Sequence, residues 1–194
     1  MSTKMKKIIT LTIVTALSSS ALADGFYAGL DLKQGSVKPL NDRNLKSEID
    51  VANINLGYEF QLEESNWSIA PEARIGFGIG DANNPGALIY IDGSMEPATN
   101  KTGLNNAFGF AVNAKYSFDN GFYLSVAPVV THAEFKSKFT GDMTGNTINY
   151  SDSDTHIGAI AAAGYKFNDY FSLEANYEGY NDVNFMGLGI KAYF

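Results

Sequence analysis

Met186-Gly187-Leu188-Gly189-Ile190-Lys191-Ala192-Tyr193-Phe194 closes the sequence, and its reading decides the fold. Met186, Leu188, Ile190, Ala192 and Phe194 are apolar at every second position, while Phe185, Gly187, Gly189, Lys191 and Tyr193 fill the gaps. Side chains of a β-strand alternate between its two faces. A period of two therefore predicts a strand with one apolar and one mixed face. The ends of soluble domains usually fray. A last strand running to an aromatic carboxylate is explained by a closed sheet, in which it pairs with the first strand.

Seven further segments alternate in the same way, at 26–37, 49–60, 67–80, 106–118, 122–135, 156–167 and 170–180; the last spans 183–194. In the first, Phe26, Ala28, Leu30 and Leu32 oppose Tyr27, Gly29, Asp31 and Lys33. The connections alternate too. Those at 63–66, 119–121 and 168–169 are short, and those at 38–48, 81–105 and 136–155 are long and polar. Only the link at 181–182 breaks the pattern by being short. Within the second long link, residues 87–91 are apolar enough to extend a hairpin beyond the membrane.

With the short-turn ends at one level, Phe26, Tyr58, Phe60, Trp67, Tyr116, Phe118, Phe122, Tyr165, Phe167, Phe171 and Phe194 share one face near that level. Aromatic rings gathered at one end of each strand suit a membrane interface. A soluble sandwich would spread them along its strands. Pro71 and Pro128 fall on the apolar face, each removing a ladder donor, which predicts bulges or missing ladder bonds there.

Lys4, Lys6 and Lys7 precede a short apolar run at 8–17, and Ala21-Leu22-Ala23 follows. That order predicts a secretory signal peptide at 1–23, leaving a mature domain at 24–194. The whole chain has 14 basic and 21 acidic residues, net −7. Without the three leader lysines it carries 11 against 21, net −10, which argues against nucleic acid as a partner. There is no Cys, so no disulfide framework holds the exported chain. The mature part has no apolar run near the ~20 residues of a membrane helix.

These residues together resemble the small outer-membrane β-barrel family, which includes the membrane domain of outer-membrane protein A, outer-membrane protein X and the opacity proteins. The resemblance covers the mature chain. It rests on the signal peptide, the eight alternating strands, the three long links and the terminal run at 186–194. It implies an all-β, eight-stranded antiparallel up-and-down transmembrane barrel with short periplasmic turns and long extracellular loops. It implies outer-membrane lipid and lipopolysaccharide as surroundings, and a monomer. Met186, Leu188, Ile190, Ala192 and Phe194 resemble the signal read by the barrel-assembly machinery. An extracellular ligand would be met through loops 38–48, 81–105 and 136–155, where binding residues collect on a rigid scaffold.

Asp31, Lys33, Glu59, Glu72, Arg74, Lys115, Lys166, Glu174, Glu178 and Lys191 take the inward parity. An eight-stranded barrel is just wide enough for side chains to fill it, so paired charges predict a polar plug; a narrow or gated pore is the other reading. Asp152, Asp154 and His156 alternate on one face, but nothing fixes a further metal ligand. His132 and His156 lack the His-x-Ser signature of barrel lipid A deacylases, so no enzyme is expected. Gly76, Gly78 and Gly80 lack the helix and Lys of a phosphate loop and slim the lumen side instead. Asn100-Lys101-Thr102 matches a glycosylation acceptor without meaning in a bacterial envelope. No cofactor or resident metal is expected.

Overall fold

A computed structural model describes residues 25–37, 47–91, 94–181 and 183–194. The expected signal peptide and most of the 38–48 link lie outside the described residues. Among the described residues nine strands follow in chain order: β1 (Gly25–Val37), β2 (Ser47–Gln61), β3 (Trp67–Gly80), β4 (Ala82–Ile91), β5 (Ser94–Ser117), β6 (Phe122–Gly141), β7 (Thr147–Lys166), β8 (Phe171–Gly179) and β9 (Val183–Tyr193). They form one antiparallel sheet in the order β3-β2-β1-β9-β8-β7-β6-β5-β4, and β5 also pairs with β3. Eight strands thus close into a ring, and β4 hangs on the distal part of β5. The first and last strands make the closure, with Tyr27 opposite Tyr193, and the Phe194 amide donates to the Phe26 carbonyl at 2.9 Å. The all-β, eight-stranded up-and-down barrel expected from the periodicity is the one observed.

Burial follows parity. Along β8 exposed and buried residues alternate from Phe171 to Glu178. Charged and polar residues such as Asp31, Glu72, Arg74 and Glu174 are buried inside, whereas Leu30, Ile54, Phe110 and Leu124 are exposed outside. A continuous apolar belt on the outside and a polar interior invert the pattern of a water-soluble protein.

Rings meet in series at the short-turn end. Phe26 contacts Tyr58 and Tyr58 contacts Phe60 at centroid distances of 4.8 and 4.5 Å. Trp67–Tyr116, Tyr116–Phe118, Phe122–Tyr165 and Tyr165–Phe167 continue the series at 4.9–5.4 Å. The turns beneath them are tight. Gly121 takes φ +87° and its amide reaches the Phe118 carbonyl at 3.1 Å. Asn168 Oδ1 accepts from the Tyr170 and Phe171 amides, each at 2.9 Å, a local Asx turn. Both prolines interrupt ladders without shifting register. The β2–β3 pairs skip from Gly57↔Glu72 to Phe60↔Ile69 at Pro71, and the β5–β6 pairs skip from Ala111↔Val129 to Ala114↔Val126 at Pro128. Missing ladder bonds, not bulges, accommodate them.

The long polar links differ from loops. Residues 82–91 and 94–105 form a hairpin, and β6 and β7 continue past the barrel to a turn at 142–146. Of the 136–155 link, only 142–146 is not strand. The hairpins satisfy their own backbone hydrogen bonds, so extended chain persists where both faces meet water. A bulge between Leu104 and Asn106 switches the parity of β5 above that point. Leu104 and Ala107 both face inward as a result.

Candidate functional site

Two places concentrate polar chemistry: the lumen and the projecting sheet. In the lumen, Arg74 on β3 forks onto both carboxylate oxygens of Glu178 on β8, at 2.9 and 3.0 Å. Lys33 on β1 donates to the same carboxylate at 2.5 Å and lies 3.5 Å from Asp31. The Arg74 guanidinium also lies 3.4 Å from Glu72 and 3.9 Å from Asp31. Asn55 donates to Asp31 at 2.7 Å, and Tyr180 donates to Glu178. Charges from three strands, β1, β3 and β8, therefore meet across the lumen at one level, and all are buried. Pairing of this kind is what the low dielectric demands of enclosed charge.

A repeated device carries the network downward. Tyr27 stands opposite Gly57, and Gly57 stands opposite Glu72. The Tyr27 ring lies across the bare glycine, and its hydroxyl donates to Glu72 at 2.8 Å. On the far wall Tyr123, Gly164 and Glu174 repeat the row on β6, β7 and β8. There the Tyr123 hydroxyl donates to Glu174 at 3.1 Å. A Cβ at Gly57 or Gly164 would overlap the tyrosine ring above it. Lys191 on β9 joins the two rows, 3.0 Å from Glu174 and 3.8 Å from Glu72.

Nearer the short turns, Lys115 pairs with Glu59, which also accepts from Ser68 at 2.7 Å. Lys166 stacks over the Tyr193 ring at 5.0 Å. All ten inward-parity charges thus line the interior, seven in the central network and Glu59, Lys115 and Lys166 below it. Above it Val51, Leu104, Ala107 and Ala133 cluster with Phe135 and Phe185. A cavity of only about 50 Å³ separates this apolar layer from Lys33, Arg74 and Glu178, room for a few waters.

Sequence reasoning overlooked Tyr27, Tyr123, Asn55 and Ser68 because it sorted inward positions by charge alone. They share the charges' parity, and that was the available signal. It also overlooked Glu96, for which no pattern existed. Buried in the projecting sheet, Glu96 accepts from the Met143 and Thr144 amides, each at 3.1 Å, and from the Thr144 hydroxyl at 2.6 Å. It ties the β4–β5 hairpin to the β6–β7 turn.

Other sequence candidates separate. Asp152 and Asp154 are exposed and His156 is half-buried. Among the described residues no three His, Cys, Asp or Glu side chains are placed to hold a metal. His132 is exposed and meets Thr155 at 3.0 Å, while His156 stands 6.2 Å from the Tyr180 ring. Glu134, at the base of the projecting sheet, accepts from Asn105 at 2.7 Å, Asn106 at 2.9 Å and Ser151 at 2.8 Å. These hydrogen bonds, with that of Asn105 first, hold its carboxyl below the ordinary glutamate range.

Comparison with known proteins agrees with this geometry. The family described as "Outer membrane protein beta-barrel domain" matches residues 9–192. No curated protein matches the chain. Among solved structures, a major outer membrane protein from Thermus thermophilus is 11% identical with a TM-score of 0.50, covering 86% of this chain and 99% of that one. Ail, the attachment invasion locus protein of Yersinia pestis, solved with the heparin analogue sucrose octasulfate, is 14% identical with a TM-score of 0.49, covering 89% and 99%. Neisserial surface protein A is 14% identical with a TM-score of 0.43, covering 89% and 100%. With its family match over nearly the whole length and its apolar belt around a polar lumen, this chain belongs to the outer membrane protein beta-barrel domain family, and its place is the outer membrane.

Proposed function

We propose that the protein is a non-enzymatic surface-interaction barrel of adhesin-like type, presenting its projecting sheet to a protein outside the cell. The observation that carries this reading is the open edge of that sheet. Among the described residues β4 pairs with β5 alone, and β7 pairs with β8 only from Ala159 onward, so its distal half has β6 as its ladder partner. β5, β6 and β7 run 24, 20 and 20 residues, about twice the 9–11 that cross a membrane. A rigid strand edge outside the cell is a template for an extended segment of a partner. Leu88 and Tyr90 on β4, Met95 on β5 and Tyr150 on β7 are exposed there and supply apolar anchors.

The barrel below is the support. Its ten inward charges act as a structural plug, and the paired lumen weighs against the channel reading. Met186, Leu188, Ile190, Ala192 and Phe194 on the outer face of the last strand serve as the assembly signal. The mature chain begins after the signal peptide at 1–23.

The test replaces 82–104 and 136–153 with short turns and measures adhesion of expressing cells to matrix-coated surfaces and host-cell monolayers. A Tyr90→Pro variant addresses the β4 edge alone. Adhesion falls by about tenfold in both, as loss of strand addition requires. Undiminished adhesion, with heat-modifiable migration showing an intact barrel, sinks the reading.

A further inference from the structure

Register places three lysines on one face of the projecting sheet. Lys101 on β5 is directly opposite Lys138 on β6, and Lys136 lies two residues away on that face, opposite Gly103. Like charges set directly opposite each other destabilise a sheet, so such a pair calls for a counter-charge. Among the described residues none of the three forms an ion pair with a carboxylate. Lys136 donates instead to the Asn105 side-chain oxygen at 2.6 Å. Lys101, Lys136 and Lys138 line a concavity of about 580 Å³, with Asn149 and Ser151 of β7 on its far wall. Asp81 is the acidic residue on its rim. Glu134 nearby is hydrogen-bonded by Asn105, Asn106 and Ser151, and of the three lysines the charge of Lys136 acts on it.

The direction of this face identifies its occupant. Lys136 and Lys138 have the parity of Pro128, Val130 and His132, so they face away from the barrel axis, as the lipid-facing residues do. They lie four and six residues beyond His132, or ~10 and ~15 Å along the membrane normal for a tilted strand. Lysine stems reach several ångströms back toward a headgroup layer. We infer that Lys101, Lys136 and Lys138 bind phosphate groups of the anionic glycolipid that surrounds the barrel in the outer leaflet, with Asn149 and Ser151 as hydrogen-bonding partners to the adjoining sugars. The patch is thus a lateral clamp onto lipopolysaccharide, separate from the strand edges that would meet a protein partner. Basic side chains at an anionic membrane surface act additively and are weakened by salt.

The test uses the full-length barrel in detergent and native lipopolysaccharide as probe, with binding followed by co-purification and native mass spectrometry. Wild type binds native lipopolysaccharide at least about tenfold more tightly than the same lipid stripped of its phosphates, and salt weakens the difference. A triple Lys101→Gln, Lys136→Gln, Lys138→Gln variant loses the preference while keeping heat-modifiable migration. The stripped-lipid arm needs only wild-type protein, so a poorly folding variant leaves the question decidable. Equal binding of native and stripped lipid overturns the inference. So does a triple variant that keeps glycolipid binding but loses binding to a soluble sulfated polysaccharide, which would make the patch a site for a polymer from outside.

Discussion

Gly57 and Gly164 show what single positions do in this barrel. Each lies under a tyrosine ring from the neighbouring strand, and each lets that ring reach a glutamate one strand further on. An alanine at either position forces the ring off its row and leaves Glu72 or Glu174 short of a donor. Overpacking of this kind costs about 1–3 kcal/mol. Gly57→Ala and Gly164→Ala should therefore lower the urea midpoint of the lipid-reconstituted barrel. The same change at the exposed Gly86, which has nothing within 4 Å but takes φ +86°, should act only through local turn strain. Equal midpoints for wild type and both row variants would remove the rows from the stability account. The inward parity of Tyr27 and Tyr123 was legible in the sequence. Their glycine partners were not, because pairing across strands depends on register.

At the scale of elements, the projecting sheet is where sequence and structure diverge. The periodicity that marks a half-buried strand needs one face in water and the other in something apolar. In 136–155 both faces meet water for much of the length, and in 81–105 the covered face carries Ala82, Glu96 and Ala98 rather than large apolar side chains, so both stretches read mostly as polar loop although the chain is extended and paired. The Leu104–Asn106 bulge also switches parity, which no alternating template anticipates. Glu134 anchors the base of this sheet and has a depressed pKa owing to its hydrogen bonds with Asn105 and Ser151. A group whose folded value is depressed contributes stability above its unfolded value and loses it as pH falls through the folded one. Acidification into that range should therefore loosen the sheet base before the barrel. Amide protection at 104–106 and 151, corrected for the intrinsic exchange rate, should fall at acid pH in wild type, and Glu134→Gln should flatten that dependence. Protection that is equally pH-dependent in Glu134→Gln would assign the effect to another group.

For the whole molecule, the charged lumen bears on whether the barrel is a support or a channel. Arg74 touches Glu178 on β8, Asp31 on β1 and Glu72 on its own strand at once. Arg74→Ala leaves those carboxylates underpaired in an enclosed interior, a loss of about 3–5 kcal/mol for breaking one partner of a buried network. The variant should unfold at lower urea and lose heat-modifiable migration at lower temperature. Wild type in planar bilayers should be silent. Discrete conductance steps from wild type, altered by Arg74→Ala, would instead favour the narrow pore.

By itself the sequence determined the eight barrel strands, their inner and outer faces, the aromatic ring at the short-turn end and the inward place of all ten charges. These follow from local periodicity, because a strand exposes one face to lipid and the other to a crowded lumen. Only the tertiary structure decided which charges meet, which glycines lie under tyrosines, and that the polar links stand up as a paired sheet bearing Lys101, Lys136 and Lys138 on one face. Those depend on register, bulges and closure, which are set by pairing between distant segments and leave no trace in the pattern of any one strand.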